Sequence, residues 1–544
     1  MKSKHLAALA VFILLAFLVT FPLILKPAQV SVAGKEEYLL SYIINGNIYA
    51  LTHNPSALFN LPFYYPFKNT LAFSDPLITS AVIALPAVLI FHQPFLAYSV
   101  NLLLALILNG FFTYLVIFKL SKNFWASLTS GVLFAFSIGR LDALEHLQVL
   151  SSYFIPAGLY FFLNRRFGLV ALAFILQTLN TVFLGYAYAL SLAIFTLIFY
   201  LKKKLSAVDL KKLLRWFAVG LLALVLFFLP YFKVSYQFQA QRSLKDTFAG
   251  SAYFLEYLYP TATSRLQPLA QKLVSKNPWP AYLGLAVTLL GLAALFHRQK
   301  KPAFLASFWV GVAGLTLSLG PYFQLIKQKL SLPLPLPYWF AYYLVPGFKS
   351  MRVPQRWSHL VLFGLALLSG LFLAQKIPLK KIKLVSLVVI LAVILEINLP
   401  LFTKPVVAFS QIPPVYRWLA GQSSSVVVEL PLQTWVMPLA DLEISRLHYH
   451  SFLFASQHRF VNGYSGFEPP PFTLEVSAFR TQAPELALNT LKNWGVNLVI
   501  VHRLEMDRLF ELDPEALPLK ATLEAIDQNY PAVYTDPAVS VYQL

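Results

Sequence analysis

The sequence predicts an α-helical polytopic membrane protein with about 11–12 transmembrane segments and a small C-terminal α/β domain. Two observations predict the membrane part. Hydrophobic residues make up 58% of the 544 residues and charged residues only 12%, with a mean hydropathy of +0.64, whereas soluble domains carry about a quarter charged residues. Apolar runs then recur from residue 6 to residue 402, separated by short loops, and ~17–25 such residues span a bilayer as a helix. A third observation marks off the tail. Nine acids stand against 34 Lys and Arg before residue 402, and 14 acids against nine after it. The same composition excludes intrinsic disorder. The absence of cysteine excludes disulfides, thiolate metal sites and cysteine nucleophiles.

The apolar runs fall at 6–25, 77–91, 95–118, 125–139, 148–163, 168–182, 186–201, 213–233, 280–296, 303–320, 356–375 and 384–402. Loop charge orients them, because cytoplasmic loops keep Lys and Arg. Lys2/Lys4, Lys119/Lys122, Arg165/Arg166, Lys202–Arg215, Arg298–Lys301 and Lys376–Lys383 hold 19 basic residues and one acid, Asp209. These ends and loops are read as cytoplasmic, and 26–76, 140–147, 234–279 and 321–355 as outward. That alternation needs an odd number of crossings between residues 76 and 119, where two apolar runs lie. Eleven full crossings with 77–91 as a half-length or re-entrant segment satisfy it, Pro86 interrupting that run. The N-terminus is then cytoplasmic, the C-terminal domain extracytoplasmic, and the protein integral to the plasma (inner) membrane. Ser31-Val32-Ala33 has the small-x-small form of a signal-peptide cleavage site, but the preceding run is longer than a usual signal core, so it reads as an uncleaved anchor. The net charge of +20 is mostly a topology label. It lies in short inter-helix loops rather than on one exposed domain, which argues against nucleic-acid binding.

The outer loop 26–76 is more than a linker. Leu39, Leu40, Ile43, Ile44, Ile48 and Leu51 have helical spacing, with Glu36 and Glu37 in the first turn, where the helix dipole favours acids. The spacing predicts an amphipathic helix on the outer membrane surface. The tail, 403–544, predicts a short helix over 414–422, a buried strand at 425–430, a helix over 484–494 closed by Gly495, a strand at 497–502, and a final hairpin at 533–534 and 539–542. A turn-rich loop, Asn462–Pro471, lies between them. The division is therefore 1–402, membrane part, and 403–544, α/β domain.

No Walker loop, dinucleotide-binding glycine pattern, HExxH or GxSxG is present. Chemistry must then rest on carboxylates, His, Arg and Lys of the outer loops. Glu36 and Glu37 are candidate bases at the membrane surface, or else solvated charges of a helix N-terminus. Asp75, in Ser74-Asp75-Pro76, is an outer-face acid or a helix N-cap followed by Pro. Asp142, Glu145, His146 and Gln148 crowd one short segment, and on a helix Asp142 and His146 would share a face. They suit sugar hydroxyls or a divalent cation, or form a polar loop. Arg352 and Arg356, with Lys349, suit a phosphate, or snorkel to lipid headgroups. Arg242 and Lys245 form a second basic pair. Glu396 lies in an apolar run near its outer end.

Four segments, Leu61–Leu77 (LPFYYPFKNTLAFSDPL), Glu145–Leu150 (EHLQVL), Pro337–Trp357 and Val461–Pro470 (VNGYSGFEPP), together with this order of helices and loops, give the chain its resemblance. It resembles the GT-C superfamily of membrane glycosyltransferases, which includes protein O-mannosyltransferases, aminoarabinose transferases and oligosaccharyltransferases, and within it the bacterial YfhO-like multi-pass proteins. The resemblance implies a GT-C-like fold and transfer of a sugar from a polyprenyl-phosphate donor to a glycan, lipid or protein acceptor on the outer face. It implies that Glu36, or failing it Glu37, is the base on the acceptor hydroxyl. Relatives carry Asp after Gly there, and here Gly34 is followed by Lys35, Glu36 and Glu37. Asp75 falls where relatives carry an acid. Arg352 and Arg356 fall in the loop that often holds the donor phosphate, with Asp142, Glu145, His146, Gln148, Arg242 and Lys349 as further substrate-binding candidates. Some GT-C enzymes use a divalent cation and others none. No DxD pattern stands in the outer loops, so no essential metal is expected. The rival readings are a lipid-linked glycan transporter or flippase, for which inverted repeats and polar midplane residues are lacking, and an inactive relative in envelope assembly.

Overall fold

The computed structural model describes residues 2–28, 30–31, 35–270, 281–297, 299–326, 330–401, 404–405, 412–434 and 457–544. Val32, Ala33 and Gly34, on which the cleavage-site reading and the Gly-acid comparison rest, lie outside them. The fold is that of an α-helical polytopic membrane protein with a small C-terminal sheet domain.

Each of the twelve apolar runs folds as a helix: α1 (Lys2–Val19), α3 (Ile78–Phe91), α4 (Leu96–Ser121), α5 (Phe124–Phe136), α6 (Phe154–Leu163), α7 (Phe167–Asn180), α8 (Val182–Leu201), α9 (Ala207–Phe227), α11 (Leu285–Phe296), α12 (Pro302–Ser318), α13 (Ser358–Lys376) and α14 (Leu379–Glu396). The loop helix is α2 (Lys35–His53), and α10 (Leu229–Phe238) follows α9, restarting at Pro230. Among the described residues three helices are long and apolar enough to cross a membrane unaided: α4, α8, and α13 counted with the turn before it. Counting α9 with α10 as one bent span makes four; seven shorter apolar helices run 10–17 residues, and α14 has 18. The 14 residues of α3 rise about 21 Å, short of a hydrocarbon core of ~30 Å, as are the 13 of α5 and the 12 of α11.

The chain groups into two compact units. The first takes Met1–Val32, Ser99–Phe227 and Gln241–Lys404, and the second Ala33–Tyr98, Phe228–Ala240 and Pro405–Leu544. The sequence division at 402 falls beside the last of these breaks, while residues 33–98 and 228–240 group with the tail.

In the first unit α13 is the most buried of the full-length spans and packs against α5, α11 and α12. Its contact with α12 is backbone on backbone. A Cβ on Gly364 would sit 2.7–2.8 Å from Gly311 N and Cα and from Ser307 O, a close approach that only small residues permit in a membrane fold. An antiparallel hairpin, β1 (Tyr322–Ile326) and β2 (Leu330–Pro335), lies in the loop before residue 337.

The second unit is built on a five-stranded sheet. Its strands are β3 (Val426–Leu430), β4 (Arg459–Phe460), β5 (Leu498–His502), β6 (Ala532–Thr535) and β7 (Val539–Gln543), in the order β4-β3-β5-β7-β6. β3, β4 and β5 are parallel, and β7 pairs antiparallel with both β5 and β6. β3 and β5 are buried at every residue, as continuous apolar strands of a covered parallel sheet are. Among the described residues five helices accompany the sheet: α15 (Pro414–Ala420), α16 (Pro470–Thr481), α17 (Pro484–Asn493), α18 (Arg503–Leu512) and α19 (Leu517–Asn529). The first outer loop docks on the β4 edge. Phe460 N donates to Pro62 O at 2.7 Å, Tyr65 N to Phe460 O at 2.9 Å, and Tyr64 N to Asn462 O at 3.0 Å. The Tyr64 ring is buried against Phe472 and Phe73.

α2 is more covered than an amphipathic surface helix. Besides the predicted apolar face, Glu37, Tyr38, Ser41, Tyr42 and Asn47 are buried, so one exposed polar face is not what this helix shows. Its Asn47 side chain donates to Pro76 O at 2.7 Å and Asn45 to Pro94 O at 2.9 Å, bonds that a hydropathy pattern cannot register.

Candidate active site

In the first unit the chain between α5 and α6 is not one helix. Ile138–Leu141 and Leu147–Leu150 are single helical turns with a non-helical stretch between them. Asp142 ends the first turn and His146 precedes the second, so their i, i+4 spacing does not place them on a common helical face. The sequence run 148–163 is broken again at Ser151-Ser152. There the exposed backbone is satisfied by polar side chains from neighbouring helices. Asn109 of α4 donates to Leu150 O at 2.8 Å and accepts from Ser152 Oγ at 3.0 Å, and Gln177 of α7 donates to Ser151 O at 3.0 Å. Irregular backbone at membrane depth requires such cover.

This irregular segment carries two of the predicted residues into different surroundings. Asp142 accepts from the Thr261 hydroxyl at 2.9 Å. Burial pushes its carboxyl up to about 7; the Thr263 and Thr261 hydroxyls oppose the shift, and the nearby Glu396 charge adds to it. Glu396 itself is a cap. Its carboxylate accepts from Tyr282 OH at 2.6 Å and from Leu285 N at 3.1 Å through both oxygens, neutralising the positive N-terminus of α11.

His146 lies on the basic side of the segment. Burial, with the charges of Arg356 and Arg352, draws its imidazole down to about 3, so it is neutral at every physiological pH, and its Nδ1 has no partner. Gln148, the next predicted residue, is buried with Oε1 unpartnered. Glu145 is half-buried.

Three of the predicted cations, Arg242, Arg352 and Arg356, fall within electrostatic range of one another or of His146. The loop after Pro337–Leu344 runs through Lys349, Arg352 and Arg356 to α13, anchored by Trp357, which is 1% exposed and stacks on Phe348 and edge-on to Phe183. The Arg242 segment pairs with this loop: Arg242 N donates to Lys349 O at 2.8 Å, and Tyr342 OH to Arg242 O at 2.7 Å. Burial and the Arg352 charge lower the Arg242 guanidinium from its ordinary value, against the pull of Asp246. Lys349 Nζ sits 5.8 and 5.7 Å from the Tyr342 and Tyr343 ring centres. The Arg352 charge acts on Arg242, and those of Arg352 and Arg356 act on His146, a positive field that favours an anion. A neutral imidazole within range of two guanidinium forks is chemistry that suits a phosphate.

In the second unit Glu36 and Glu37 occupy the first turn of α2. Glu37 is buried at 5% exposure and Glu36 is more open. Asp75 is half-buried, and Pro76 beside it is the residue to which α2 is tied through Asn47. The N-cap reading of Asp75 does not hold, because α3 starts at Ile78 with Leu77 at its cap position. Tyr231 of α10 lies within electrostatic range of Asp75 and donates to Leu71 O at 3.2 Å.

Arg140, Thr261, Thr263, Tyr282 and His359 were not singled out in the sequence. Arg140 and His359 carried a signal, an ionisable side chain at or within an apolar run. The threonines and Tyr282 carried none, because their role depends on which carboxylate the fold brings to them. Among the described residues no group of three or more His, Asp or Glu side chains is placed to hold a metal ion.

No family model and no curated protein matches the chain. Among solved structures it is similar to the arabinofuranosyltransferase AftD from Mycobacteria, with a TM-score of 0.59 and 16% identity, over 100% of this chain and 40% of that one. It is similar to the Archaeoglobus fulgidus oligosaccharyltransferase tethered to an acceptor peptide, with a TM-score of 0.51 and 12% identity, over 100% of this chain and 74% of that one. ArnT from Cupriavidus metallidurans aligns at a TM-score of 0.46 and 10% identity, over 99% of this chain and 96% of that one. The chain spans well under half the length of the mycobacterial enzyme. The fold is the GT-C-like fold.

Proposed function

We propose that this protein is a membrane glycosyltransferase that moves a sugar from a polyprenyl-phosphate-linked donor to a glycan, lipid or protein acceptor on the outer face of the plasma (inner) membrane. The observation that carries the reading is that the Arg352 and Arg356 charges both act on the buried, neutral His146, with Arg352 acting on Arg242 as well. A lipid-phosphate leaving group gathers negative charge as the glycosidic bond breaks, and preorganised guanidinium groups stabilise it. The GT-C-like fold supports the setting: two similar structures above a TM-score of 0.5 are named as an arabinofuranosyltransferase and an oligosaccharyltransferase.

In this reading Arg352 and Arg356 grip the donor phosphate, with Arg242 and Lys349 behind them. His146 donates or accepts one hydrogen bond without changing charge. Glu36 takes the proton from the acceptor hydroxyl, its greater exposure favouring it over Glu37, and Asp75 assists in binding. Asp142, Glu145 and Gln148 contact sugar hydroxyls. Transfer without a metal is the reading, and a divalent cation bridging donor phosphate and carboxylate is the alternative.

The test is transfer by the full-length protein in nanodiscs, supplied with a panel of radiolabelled polyprenyl-phosphate sugars and an envelope-glycan extract. Arg352→Ala and Arg356→Ala are each expected to lower kcat/KM by about 10²-fold, the order lost with one transition-state donor. Glu36→Gln is expected to abolish transfer with expression intact. Full transfer in both Glu36→Gln and Glu37→Gln would remove these residues from the chemistry, and donor binding with no transfer would favour the flippase.

A further inference from the structure

The first unit has a small, partly open cavity whose wall includes Phe134, Arg140, Ser152, Arg356, His359 and Phe363, with room for about one water-sized occupant. Arg140 is fully buried. Its Nη1 reaches Val149 O only at 3.4 Å, and Nε and Nη2 have no partner. Its guanidinium lies over the Phe134 ring at 4.4 Å, which covers one face but supplies no negative charge. Among the described residues Arg140 forms no ion pair. Asp142, two positions on, accepts from Thr261 instead. His359, 8% exposed, also presents a partnerless Nδ1, and no acid lines the cavity.

An arginine does not shed its proton in a protein, and a buried charge with no counter-charge is strongly destabilising. Something must supply the negative charge, and among the described residues nothing does. A water would meet the free N–H groups but not the charge. A phosphate, with five heavy atoms, is too large for the space. A monatomic anion meets both requirements. We infer that this cavity binds one halide ion, chloride in the cell, between Arg140 and His359, as a structural counter-ion of the helical unit.

The experiment uses the full-length protein in nanodiscs, prepared in gluconate and titrated with radiolabelled chloride. One saturable chloride per chain is expected, displaced by bromide and not by gluconate or phosphate. The thermal midpoint is expected to rise with the logarithm of chloride once the site begins to saturate, as binding to the native state alone requires. Arg140→Leu is expected to lose both the binding and the chloride dependence. Should that variant fail to fold, crystals of the wild-type protein grown in bromide decide the matter: an anomalous peak between Arg140 and His359 is expected. Absence of saturable chloride in the wild type, its retention in Arg140→Leu, or absence of the bromide peak overturns the inference.

Discussion

Asp142 and His146 stand four residues apart and are driven in opposite directions. The carboxyl is raised to about 7 and the imidazole lowered to about 3, burial being the main cause of both, because a low-dielectric site favours the neutral form of either group. For Asp142 the sign for stability follows. Its unfolded value is near 3.9, so between about 4 and 7 the folded state holds a proton that the unfolded state has released. Stability from this group is full below that window and is lost as pH rises through it. Asp142→Asn is therefore expected to flatten the fall of the thermal midpoint between pH 4 and 7, and a slope as steep as wild type would remove Asp142 as its source. His146 contributes no titration above pH 5, so the pH profile of transfer is expected to be unchanged on that limb in His146→Gln, whatever its height. The residue types at these positions were legible in the sequence. Their environments were not, because the hydroxyl that Asp142 accepts from comes from Thr261, far along the chain.

At the scale of elements, two contacts depend on the lack of a side chain. A Cβ on Gly364 would strike the Gly311 backbone at 2.7 Å, so Gly364→Leu is expected to part α12 from α13 and lower the thermal midpoint of the purified protein. The cost should match core overpacking, about 1–3 kcal/mol. Gly463 lies under the Tyr64 ring, 2.4 Å from where its Cβ would stand. Gly463→Ala is expected to loosen the docking of the first outer loop on the β4 edge, read as faster proteolysis between residues 54 and 70. Wild-type proteolysis in that variant would show that the edge bonds alone hold the loop. Asn462 adds to the same edge, accepting from Glu429 N at 2.7 Å and donating to Glu429 O at 2.8 Å. It does for β3 what a further strand residue would do. Helix and strand identity here followed from periodicity and caps: Gly495, at φ +71°, closes α17 as its position after the helical run indicated. The break at Ser151-Ser152 did not follow, because Asn109 and Gln177 cover it from helices that local pattern treats as separate.

For the whole molecule, the charge asymmetry of the loops yields a test that the composition makes simple. With no native cysteine, single introduced thiols report sidedness without a background. Ser424→Cys, in the exposed turn before β3, is expected to react with an impermeant maleimide in intact cells, and Lys203→Cys, in the loop between α8 and α9, only after permeabilisation. The reverse pattern would invert the topology and move the proposed chemistry to the cytoplasm. The sequence by itself determined the membrane class, the position of twelve apolar helices, the sheet-forming tail and the residue types available for chemistry. Those properties are written in composition and in periods of 3.6 and 2, which act over a few residues. Only the tertiary structure decided that residues 33–98 group with the tail, that Arg242 joins Lys349 and Arg352, that Glu396 caps a helix, and that Arg140 is buried without a counter-charge. Each of these depends on which distant groups share a low-dielectric space, and the strength of a charge or hydrogen bond is set by that space rather than by the neighbours along the chain.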